Sequence, residues 1–156
     1  MNNNISVVLL GAGSSRRFKS NQIKQNVIIN KVSILNHSRL FFNKYFSESN
    51  IFIVSNKKVV INKLKNNENV IYGSSSRLKS LHVALENIFQ NNLHTKYTLI
   101  HDVARPILNI NDIKKLILSM KPGIDASTLG YPLTNALKDV KNKKILNNLY
   151  KDKLWS

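Results

Sequence analysis

Residues 9–25 read LLGAGSSRRFKSNQIKQ. The apolar run ISVVLL (residues 5–10) empties into two closely spaced glycines, Gly11 and Gly13, then small hydroxyls, then Arg16 and Arg17, with Lys24 further on. A short apolar run bounded by turn formers reads as a buried strand. Glycine directly after such a strand lets the backbone approach a ligand and offer N–H groups to an anion. The third glycine of a GxGxxG fingerprint falls on Arg16, and no second glycine precedes a Lys-Ser/Thr pair, so neither the dinucleotide nor the Walker pattern is met. Arg16, Arg17 and Lys24 instead suit a more anionic ligand, such as a triphosphate. Arginine offers forked donors to phosphate oxygens, and lysine offers a compact charge. A glycine turn with solvated basic residues is the plain alternative.

Outward from this stretch, apolar strand-like runs alternate with helical patterns, which predicts parallel strands joined by crossover helices. Strands are expected at 5–10, 51–55 (IFIVS), 69–72 (NVIY), 98–102 (TLIHD) and 125–132 (DASTLGYP). Helices are expected at 33–44, with Ser33 as cap, at 59–65 as a basic helix, at 78–89 and at 110–120. In the helix at 78–89, Leu81, Ala84, Leu85 and Ile88 share one face. Residues 135–150 suggest a hairpin about the polar turn KNKK. With 156 residues, 42% of them hydrophobic, one ordinary core and one domain are expected. In such α/β sheets ligands sit beyond the carboxyl ends of the strands.

Two further segments follow strands. YGSSSRLKS (residues 72–80) turns at Gly73, supplies Ser74, Ser75 and Ser76, and opens a helix near Arg77. A helix start preceded by small polar residues suits an anion or a nucleobase edge, although, taken alone, a serine-rich N-cap is the commoner cause of the pattern. HDVARP (residues 101–106) places Asp102 at the carboxyl end of an apolar strand, where an unpaired carboxylate is costly. A magnesium ion bridging triphosphate oxygens would satisfy it. An ion pair between Asp102 and Arg105 would do so too. Arg105 is placed to hold a phosphate, and Pro106 fixes the backbone after it. His37, His82 and His94 have no ligand spacing with His101 and read as structural or solvated.

The net charge of +16 invites a nucleic-acid reading. The positive charge is mostly lysine scattered among asparagines (NKK, NKLKNN, VKNKK) rather than arginine interleaved with aromatics, so no specific nucleic-acid partner is expected. The chain has no cysteine, which fits a reducing compartment. MNNN lacks the charged start of a signal peptide, and the first apolar run is too short to span a bilayer. A cytoplasmic protein without membrane partners is expected.

Taken in order and near spacing, GAGSSRRF…KQ, ILNHS, GSSSRLKS, HDVARP and KDKLW resemble the 2-C-methyl-D-erythritol 4-phosphate cytidylyltransferase family, over nearly the whole chain. The resemblance implies a Rossmann-like α/β nucleotidyltransferase fold, its mostly parallel sheet covered by helices on both faces and bearing a β-hairpin arm. It also implies transfer of CMP from CTP to a sugar-alcohol phosphate with release of pyrophosphate, using Mg²⁺. By resemblance, Arg17 and Lys24 take the catalytic positions that stabilise charge in the transition state. Gly11, Ala12, Gly13 and Ser15 surround the triphosphate. Ser74, Ser75 and Ser80 fall on the loop that reads cytosine and ribose. Asp102 is the metal carboxylate, Arg105 lies near the phosphates, and Lys151 positions the acceptor phosphate. The hairpin at 135–150 corresponds to a dimerisation arm, so a homodimer is implied.

The sequence also departs from the family pattern. Ser74 and Ser75 stand where Gly and Asp are usual, and Ile23 replaces a proline before the lysine. Asn135-Ala136-Leu137-Lys138 lacks a threonine hydroxyl expected near the sugar phosphate. Lys151 replaces an arginine, which keeps the charge but loses the fork. Family members continue beyond the Leu-Trp motif, so the stop at Ser156 is read as a fragment of a longer frame, or as loss of part of the acceptor site. These changes keep open an acceptor such as ribitol or glycerol phosphate, or a nucleotide-binding protein without turnover.

Overall fold

Strand β1 (Ile5–Leu10) is buried along its full length, which is why it reads as an apolar run broken only by the buried Ser6 rather than as an alternating one. The computed structural model describes residues 4–13, 22–56, 69–91, 95–150 and 154–155. After β1 come a hairpin of β2 (Ile28–Ile29) and β3 (Val32–Ser33), then helix α1 (Ile34–Asn43) and strand β4 (Ile51–Ser55). Strand β5 (Val70–Tyr72), helix α2 (Arg77–Gln90), strand β6 (Tyr97–Asp102) and helix α3 (Ile110–Ser119) follow. The hairpin of β7 (Leu137–Lys141) and β8 (Lys144–Leu149) comes last. The chain divides into two compact units, Met1–Leu108 and Asn109–Ser156.

In the first unit four strands form one parallel sheet in the order β5-β4-β1-β6. Val8 and Leu10 pack with Phe52, Val54, Ile71, Ala84 and Ile88, which puts α2 on one face. Leu9 pairs in register with His101, so both point to the other face. His101 there meets Phe42 of α1, with ring centroids 5.4 Å apart. Helices therefore cover both faces, as the family resemblance implies. The side chain of Ser33 caps α1 by accepting from the Asn36 N–H at 3.3 Å, and Ser76 caps α2 by accepting from the Lys79 N–H at 3.2 Å. A cap contributes about 1 kcal/mol and a buried phenylalanine about 3–5, so packing of the fully buried Phe42 holds α1 more firmly than Ser33 does.

Two expectations change. Residues 125–131 form no strand, and Pro132 makes only an isolated bridge to Trp155. Thr128, Leu129 and Tyr131 favour extended backbone, but a strand needs a hydrogen-bonding neighbour, and none of the described residues supplies one along this segment. Leu85 lies off the core face of α2, at 39% exposure, while Ala84 and Ile88 are buried and Leu81 packs against the cluster. The β2–β3 hairpin lies where no element is expected from the sequence. The helix expected at 59–65 lies outside the described residues. In the second unit the 135–150 hairpin forms as expected, turning at Asn142 and Lys143 with φ of 50° and 63°. Among the described residues no helix is long and apolar enough to cross a membrane.

Candidate active site

Because the four strands run parallel and in register, their carboxyl ends finish on one side of the sheet. Three loops leave there almost at once, after Leu10, Tyr72 and Asp102, each anchored by a backbone bond to its neighbour. Gly11 N–H donates to Val54 O at 2.7 Å, Gly73 N–H to Ser55 O at 2.8 Å, and Val103 N–H to Leu10 O at 3.2 Å. The Gly11 N–H is thus committed to the sheet, and this glycine serves closeness instead. A Cβ on it would come within 3.2 Å of both Val103 Cγ2 and Val54 O. Gly13 is exposed and tolerates the space of a Cβ, whose nearest neighbour is Gln25 Nε2 at 3.6 Å.

Gly73 has the tightest surroundings. A Cβ there would collide with Ala12 Cβ and lie 2.9 Å from Ser80 Oγ. The loops after β1 and β5 therefore touch at Ala12 and Gly73, bringing the glycine segment against the serine segment. Ser74 and Ser75 are exposed on that second loop, whereas Ser80 is buried beneath it. Ser74 N–H donates to Ser80 Oγ at 2.9 Å, and the Ser80 hydroxyl donates back to Ser74 O at 3.3 Å. Ser80 shapes the loop from below.

Asp102 pairs with Arg77 rather than with Arg105: Arg77 Nε lies 3.0 Å from Asp102 Oδ1. Arg105 is exposed, and its backbone N–H closes a turn onto Asp102 O at 3.0 Å. The Arg77–Asp102 pair is itself largely exposed, with side chains 62% and 35% accessible, so it contributes little to stability and leaves the carboxylate free to exchange partners. Among the described residues no three His, Cys, Asp or Glu side chains cluster as a metal site. A single hard carboxylate nevertheless fits a small divalent cation that keeps several waters and takes its other ligands from phosphates.

Behind Asp102, His101 faces α1, with Ser38 Oγ 3.4 Å from its Nε2. Burial lowers the His101 pKa from its ordinary 6.5, opposed by the neighbouring Asp102 charge and by a hydrogen bond to the Arg105 backbone. Lys24 is half-buried at the start of a 3-10 turn, Lys24–Asn26. Ser15, Arg17 and Lys151 lie outside the described residues, as does His94. His37 contacts Ile29 O at 2.8 Å and His82 pairs with Glu86 at 3.3 Å, both at the surface, as their lack of ligand spacing suggests.

Sequence reasoning missed Gln25, Asn56 and Arg77. Gln25 donates to Gly11 O at 2.8 Å and Gly13 O at 3.0 Å, and Asn56 donates to Ala12 O at 3.0 Å. Neither amide carries a charge that would mark it among so many polar residues. Arg77 did leave a signal. A cation in the first turn of a helix opposes the macrodipole, and its presence there implied an acidic partner.

The family model described as 2-C-methyl-D-erythritol 4-phosphate cytidylyltransferase matches residues 5–156. Curated relatives of that name include one from Wigglesworthia glossinidia brevipalpis, 29% identical over 97% of this chain. Another, from Dictyoglomus thermophilum, is 30% identical over 95% of it. The chain spans 66% of the length of each of these relatives. The crystal structure of the Francisella tularensis enzyme of that name aligns with 98% of this chain and 69% of its own, with a TM-score of 0.75 at 23% identity, a likeness of fold. With the match running from the first residue of β1 to the last of the chain, the protein belongs to the 2-C-methyl-D-erythritol 4-phosphate cytidylyltransferase family.

Proposed function

We propose that this protein is a cytidylyltransferase that joins CMP from CTP to 2-C-methyl-D-erythritol 4-phosphate and releases pyrophosphate, in isoprenoid synthesis that does not use mevalonate. The observation that carries the reading is the junction of Ala12 and Gly73 beside Asp102, at the ends of parallel strands. A triphosphate on the glycine loop and a base on the serine loop would there be one ligand. A phosphate oxygen of the acceptor attacks the α-phosphorus of CTP in line, the bond to the β-phosphate oxygen breaks, and pyrophosphate leaves. The work of the protein is to position two anions and neutralise their charge.

In this reading Arg17 and Lys24 meet the charge of the reacting phosphates, and Gly11, Ala12, Gly13 and Ser15 frame the triphosphate. Ser74 and Ser75 face cytosine and ribose, Ser80 holds that loop, and Arg105 lies near the phosphates. Mg²⁺, when bound, supplies positive charge to the triphosphate, and Asp102 would hold it after leaving Arg77. Lys151 positions the acceptor phosphate. The family match across both compact units supports treating residues 1–156 as one nucleotidyltransferase domain. The exposed Val140, Ile145 and Leu146 on the β7–β8 arm support a homodimer, and the absence of cysteine supports a cytoplasmic setting. Ala136 and Lys151 favour a second reading in which the acceptor is ribitol or glycerol phosphate.

Pyrophosphate release tests the proposal. CTP and Mg²⁺ with methylerythritol phosphate should release it, and UTP or omission of the acceptor should not. Faster release with ribitol or glycerol phosphate would select the second reading. Release independent of any acceptor would contradict both.

A further inference from the structure

Three successive carbonyls of the glycine loop are held by side-chain amides from two different elements. Gln25, in the 3-10 turn that begins with Lys24, reaches back to take Gly11 O at 2.8 Å and Gly13 O at 3.0 Å. Asn56, just past β4, takes Ala12 O at 3.0 Å. Gln25 is only 5% exposed, so its amide is fixed by its surroundings. Along an extended segment consecutive carbonyls point to alternate sides, which matches one residue holding the first and third and another holding the second. Across each planar trans peptide the N–H points opposite to the C=O. Fixing Gly11 O therefore directs the Ala12 N–H away from Gln25, and fixing Ala12 O directs the Gly13 N–H away from Asn56.

We propose that Gln25, assisted by Asn56, is the positioning residue of the triphosphate loop. Its carboxamide sets the peptide planes of residues 11–13 and joins them to the residue beside Lys24, so that the loop's donors and the Lys24 ammonium form one rigid unit. Only a neutral group with two N–H donors does this. A glutamate accepts where donation is needed, and a lysine brings a charge that competes for the phosphates. The role rests on the nucleotide-site reading above, and the experiment is arranged to fail separately from it.

Gln25→Met keeps the length of the side chain and removes both donors. Titration of the wild-type and variant chains with inorganic triphosphate, CTP and cytidine separates positioning from scaffolding. The variant should bind triphosphate and CTP about tenfold or more weakly, two lost hydrogen bonds being the cause, while its affinity for cytidine changes less than about twofold. Equal losses for all three ligands, or no loss, would overturn the assignment. If Gln25→Met does not fold, Asn56→Ala carries the same test, with a smaller selective loss expected and an equal or absent loss contrary. A wild-type chain that binds triphosphate without preferring CTP defeats the cytidine reading and leaves the comparison between triphosphate affinities in force. A wild-type chain that binds no triphosphate defeats both.

Discussion

Gly73 stands where no side chain fits, because Ala12 Cβ and Ser80 Oγ already occupy the space a Cβ would fill. Gly73→Ala should therefore cost about 1–3 kcal/mol through overpacking, seen as a lower urea midpoint, and should part the two loops. An unchanged midpoint would mean the junction is loose. His101 gives a second residue-scale expectation. Its folded pKa lies below its ordinary 6.5 because burial disfavours the charged imidazole. Above pH 6.5 both the folded and unfolded forms are neutral at this residue, and its contribution to stability is intact. As the pH falls below 6.5 the unfolded chain takes up the proton first, so stability declines until the folded pKa is passed. His101→Gln should flatten that decline in unfolding curves measured between pH 7 and 5. A parallel decline in wild type and variant would assign it elsewhere.

At the scale of elements, the turn of the β2–β3 hairpin places Asn30 and Lys31 at φ of 48° and 66°. Left-handed backbone at both positions is the geometry that favours Asn-Gly, and lysine is strained in the second place. Lys31→Gly should stabilise by about 0.5–1 kcal/mol, the left-handed cost of about 1–2 less the added chain entropy of glycine. A lower melting temperature would argue against the turn. The same lysine explains why the hairpin was invisible in the sequence: Asn-Lys gives no turn signal. Strands β1 and β4 were legible because burial on both faces leaves a near-continuous apolar run. Residues 125–131 misled because β-favouring side chains say nothing about whether a neighbouring strand exists. Within the site, glycine and charge marked the loops at Gly11, Gly73 and Asp102. The amides of Gln25 and Asn56 escaped notice because their role depends on which carbonyls the fold brings within reach.

For the molecule as a whole, the +16 net charge attracts any polyanion, so affinity for a triphosphate alone does not identify the nucleotide. Selectivity does. The proposed nucleotide loops leave β1, β5 and β6, all within the unit Met1–Leu108. CTP recognition is therefore expected of this chain whatever the state of its acceptor site. The decisive experiment is calorimetric titration of the chain with CTP, UTP and ATP in Mg²⁺, beside Asp102→Asn. A cytidylyltransferase nucleotide site should bind CTP more tightly than UTP or ATP, with a Mg²⁺ dependence that Asp102→Asn removes. Equal affinity for the three nucleotides, with the same Mg²⁺ dependence in the variant, would contradict such a site.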